Sequence, residues 1–80
     1  MSLASTVRYL QEENWAKAHA NVQDDGSPLG CWAHGIVHML EGDLPNARYW
    51  YGKADRLFPE DANAQTEISA LAFAVDEASR

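Results

Sequence analysis

The sequence predicts an all-α fold, and three observations carry that expectation. Apolar residues recur at three- and four-residue intervals over five stretches, cap-forming residues stand ahead of those stretches, and no segment alternates in the manner of a half-buried strand. A chain of 80 residues, 46% apolar with three tryptophans, suits one domain over 1–80 with its own core. The expected architecture is about five short helices in antiparallel hairpins.

Each element follows from local chemistry. Ser2 is placed to cap a first helix over 3–12, with Leu3, Val7 and Leu10 on one stripe. Glu13-Asn14 breaks the pattern, and Asn14 caps a second helix over 15–23 whose Trp15, Ala18, His19 and Val22 stand at helical spacing. Asp24-Asp25-Gly26-Ser27 has loop composition. Ser27-Pro28 pairs a cap with a proline at the first helical position, and the third helix so begun ends at Gly42, a residue free to adopt the left-handed cap conformation. Asp43 caps the fourth helix, which tolerates Pro45 in its first turn and is expected to run to Leu57. Asp61 is the expected cap of a fifth helix over 62–78, with Ala64, Ile68, Leu71 and Val75 as its buried stripe.

Composition narrows the function classes. A net charge of −6 argues against nucleic acid, because that affinity rests on basic residues neutralising phosphates. No run approaches the roughly 18 apolar residues of a membrane span, and no basic segment followed by an apolar run suggests a signal peptide. A single cysteine forms no internal disulfide and fits a reducing, cytoplasmic setting. Sliding the chain by 29 residues sets Leu10 on Met39, Glu12 on Glu41, Asn14 on Asp43, Trp15 on Leu44 and Ala18 on Ala47, a weak internal repeat.

The stretch 31–59 concentrates the unusual side chains: Cys31, His34, His38, Trp32, Trp50, Tyr49 and Tyr51. Within it, Gly35, Gly42-Asp43-Leu44, Ala47, Tyr51, Ala54 and Pro59 match a tetratricopeptide hairpin without a gap. The chain therefore resembles a fragment of a right-handed tetratricopeptide superhelix. That resemblance implies a protein or peptide partner. Cys31, His34 and His38 depart from it, standing where the family usually has tryptophan, leucine and tyrosine. The run from His34 through Glu41-Gly42-Asp43 to Tyr49-Trp50-Tyr51 also resembles a family of small uncharacterised microbial proteins, which implies that the histidines matter but no established activity.

At about 100° per residue, Cys31, His34, His38 and Glu41 share an arc of roughly 80° on the third helix. Packed as a tetratricopeptide hairpin, Cys31, His34, Gly35 and His38 face Ala47, Tyr51 and Ala54, while Trp32 and Ile36 face the preceding hairpin. Trp50 and Leu57 are expected against the fifth helix, Tyr49 near the surface and Trp15 in the core. Histidines four apart on a helix can direct ring nitrogens at one ion, with Cys31, Glu41 or His19 as a third ligand. Nitrogen and thiolate donors suit zinc, whereas two histidines and a carboxylate suit iron.

Three readings of the histidines stand together: a structural hydrogen-bonded network, a metal site at His34 and His38, and a pocket of His19, His34, His38, Glu41 and Tyr51 for a small polar ligand or acid–base chemistry. The leading functional expectation is an interaction or adaptor module, with no cofactor required. The histidine-lined pocket is the alternative. The apolar end faces of so short a helix stack also point to self-association as a homodimer, through Ala70, Phe73 and Ala74.

Overall fold

Five side chains start five helices. In the computed structural model, which describes residues 2–79, the side-chain oxygens of Ser2, Asn14, Ser27, Asp43 and Asn63 accept the backbone N–H groups of Ser5, Lys17, Gly30, Asn46 and Thr66 at 3.1–3.4 Å. Each bond satisfies one donor that the first helical turn leaves without an intrahelical partner. The helices are α1 (Leu3–Gln11), α2 (Trp15–Val22), α3 (Pro28–Leu40), α4 (Leu44–Lys53) and α5 (Ala64–Ala78), and no strand occurs among the described residues.

The ends show where local signals are overridden. The cap of α5 is Asn63, not Asp61, because Ala62 takes a left-handed φ of 47° and cannot belong to the helix. Asp61 instead accepts the Asn63 N–H at 3.1 Å, forming a turn ahead of the cap. Helix α4 stops at Lys53, short of the expected Leu57, because Asp55 turns left-handed at φ 59°. The Asp55 and Arg56 N–H groups then close on the Gly52 and Tyr51 carbonyls, each at 3.0 Å. This early stop carries the Arg56 guanidinium to 3.5 Å from the Trp32 ring centre and leaves Leu57 95% exposed rather than packed on α5.

Helix α3 is the hub and touches all four others. Helices α1, α3 and α5 touch one another in pairs, α2 lies against α1 and α3, and α4 lies against α3. Because α5 returns to α1, the chain extends only 31 × 23 × 23 Å. The core runs through Leu10, Val22, Ile36, Val37, Tyr51 and Leu71, with Ala18, Ala33 and Ala47 giving close helix approach. Helical spacing places Trp15 among them, but the residue is 39% exposed: it sits at the first position of α2, and Ala18 and Val22 take the inward places.

Two contacts fix α3 in place. A Cβ on Gly35 would lie 2.6 Å from Tyr51 Cδ1, so only glycine lets that ring rest on the α3 backbone. Tyr51 then reaches past α3, and its hydroxyl donates to Glu67 Oε1 at 2.7 Å. The same oxygen accepts the Trp32 indole N–H at 3.1 Å. Trp32 therefore faces α5, whereas the sequence pattern points it at the preceding hairpin. No helix of the described chain is long and apolar enough to cross a membrane.

Candidate metal centre

The register of α3 places His34 and His38 one turn apart, and the packing of α2 on α3 brings His19 to them. The His19 and His34 ring centres are 4.7 Å apart and nearly perpendicular. Those of His34 and His38 are 5.0 Å apart and near parallel, and His19 to His38 is 5.6 Å. One ring nitrogen from each lies within 4.8 Å of the others, a cluster of three potential ligands. His34 is buried, while His19 and His38 are half-buried.

The surroundings of each ring differ. Trp50 lies flat on His34, with ring centres 3.8 Å apart and planes 10° from parallel. Trp50 therefore packs on the histidines and not on α5 as expected. His38 Nδ1 meets Glu41 Oε1 at 2.9 Å. His34 Nδ1 is buried with no hydrogen-bond partner among the described residues. Burial, then the neighbouring charges His19 and His38 would carry, lower the His34 pKa from 6.5 to about 4, with the nearby Val22 backbone opposing the shift. His34 is a neutral imidazole at neutral pH, with a lone pair that no described protein group uses.

The expected site residues separate into two groups. His19, His34 and His38 converge, and Glu41 joins them through His38. Tyr51 belongs elsewhere: its hydroxyl is committed to Glu67, and burial followed by that hydrogen bond raises its pKa far above the ordinary phenol value. The Cys31 thiol is buried and donates to the Asp25 carbonyl at 3.8 Å. Sequence periodicity does not identify the roles of Trp50 and Glu67. The histidine stripe signals an aromatic cover, but Tyr49-Trp50-Tyr51 offers three candidates for it. Nothing local marks a glutamate on α5 as the acceptor of two buried donors.

Three imidazoles are a donor set for borderline transition metals, not for calcium or magnesium, which prefer oxygen. At zinc–nitrogen distances of about 2.0–2.1 Å, tetrahedral ligands stand roughly 3.3 Å from one another. Here the three candidate nitrogens stand farther apart, within 4.8 Å of one another. No family model matches the chain, and no curated protein or solved structure matches it.

Proposed function

We propose that this chain is a small helical metal-binding protein that holds one divalent transition ion, zinc by the chemistry of its donors, on His19, His34 and His38. The observation that carries the reading is the buried, partnerless Nδ1 of His34 inside a three-imidazole cluster. A buried polar atom left unsatisfied costs about 1–3 kcal/mol, and an ion would supply the missing partner. A low His34 pKa supports the same reading, because no proton competes for that ring near neutrality. Three protein ligands leave a fourth position for water or a small ligand, the arrangement of zinc sites that act on substrates.

The test is calorimetric titration of chelator-stripped protein with zinc and cobalt, beside a His34→Ala/His38→Ala double variant. We expect one ion per chain, no binding by the variant, and stabilisation of about 2.7 kcal/mol at a hundredfold excess over Kd. Failure of the unaltered protein to bind either ion, with a lowered melting temperature in the variant, would make the histidines a structural network.

A second reading is supported by exposed apolar side chains. Leu57, Phe73 and Tyr49 are 95%, 68% and 57% exposed. With a tetratricopeptide-like stacking of the hairpins, they support a cytoplasmic interaction module for a protein or peptide, or a homodimer through Phe73 with Ala70 and Ala74. Sedimentation velocity across concentrations tests the dimer: a rising mass that Phe73→Ser abolishes is expected, and a constant monomer mass refutes it.

A further inference from the structure

Each histidine nitrogen available to an ion depends on what occupies the other nitrogen of the same ring. Metal-bound histidines usually donate their second N–H to a carboxylate or a backbone carbonyl, which fixes the tautomer and the ring orientation. A carboxylate partner is present here. Glu41 Oε1 stands 2.9 Å from His38 Nδ1.

We infer that Glu41 is the positioning residue of the cluster, holding the proton on His38 Nδ1 so that Nε2 is the donor atom. The inference rests on the metal reading. Glu41 is the C-cap residue of α3, is exposed, and directs its carboxylate to His38. Its exchange therefore removes the hold on His38 without opening the core. The Glu41→Gln variant drops the charge but retains a side-chain acceptor oxygen at the same reach.

The experiment has two parts. Ring nitrogen-15 spectra of metal-free protein in mildly alkaline buffer report which nitrogen carries the proton; we expect Nδ1–H at His38. Zinc titration of Glu41→Ala is expected to show affinity lowered about 10–100-fold, with Glu41→Gln recovering much of the loss. A proton on Nε2 of His38, or zinc affinity undiminished in Glu41→Ala, overturns the positioning role while leaving the metal site standing. Absence of zinc binding by the unaltered protein overturns the metal reading itself, and the positioning role with it.

Discussion

At the turn of the first hairpin, Glu13 adopts φ 59° and Asn14 follows at φ −91°, ψ 78°. In the second hairpin Gly42 adopts φ 81° and Asp43 follows at φ −93°, ψ 77°. The closing bonds match as well: Glu13 and Asn14 donate to Leu10 and Tyr9 at 3.1 and 2.8 Å, and Gly42 and Asp43 to Met39 and His38 at 3.1 and 2.9 Å. The same 29-residue slide sets buried Ala18 on Ala47 and buried Val22 on Tyr51. Yet the interiors differ. Between α1 and α2, buried Thr6 gives its hydroxyl to the Ser2 carbonyl and accepts the Asn21 amide at 3.2 Å. Between α3 and α4, the equivalent place is Gly35, and a tyrosine ring fills the space. One backbone frame thus holds a polar pair in one hairpin and a ring on bare backbone in the other. The frame comes from turn chemistry, and the side chains between the helices are free to diverge.

Placing valine at both equivalent positions gives the largest expected contrast. Gly35→Val drives a branched side chain into Tyr51 Cδ1 and Cε1 and toward the Ala47 carbonyl, whose distances from a bare Cβ are already 2.6, 2.8 and 3.2 Å. The ring cannot retreat without losing its bond to Glu67. Overpacking of this kind costs about 1–3 kcal/mol and sometimes more, and we expect the upper end. Thr6→Val preserves shape and removes a hydroxyl, leaving the Asn21 amide without that acceptor, at a cost of about 1 kcal/mol. Denaturant midpoints measure both. Equal losses would break the comparison, since they would mean that the Tyr51 ring yields as readily as a single hydrogen bond.

Legibility in the sequence follows the same division. Four of the five caps and both hairpin turns are readable, because a cap or a left-handed glycine is decided by residues within one turn of each other. The early end of α4 is not, because Asp55 carries no glycine signal and Arg56 is drawn to Trp32, distant in sequence. His34, His38 and Glu41 are legible as a stripe, since the helical repeat alone aligns them. That His19 meets them depends on how one hairpin rests on the other, which no local pattern encodes. Tyr51 is grouped with the histidines by sequence because its ring faces α3, but its length carries the hydroxyl beyond to Glu67. Trp15 misleads for a related reason: helical spacing identifies a face, and the first position of a helix can still lie outside the core.

The smallest expected effects come from the shared turn itself, where they separate backbone cost from packing. A side chain on Gly42 would meet open space, so Gly42→Ala isolates the cost of a left-handed backbone. That strain is about 1–2 kcal/mol for a non-glycine residue. It is offset in part, because alanine has less freedom than glycine to lose from the unfolded chain. A net loss of about 0.5–1 kcal/mol is expected. Glu13 already bears the strain at φ 59°. Glu13→Gly relieves it and incurs the entropic cost of glycine, so a gain of similar size, about 0.5–1 kcal/mol, is expected. The two variants should therefore shift the urea midpoint in opposite directions. A destabilising Glu13→Gly would show that the exposed Glu13 side chain contributes more than the conformational strain it imposes. The two turns would then be equal in backbone geometry but not in the forces that hold it.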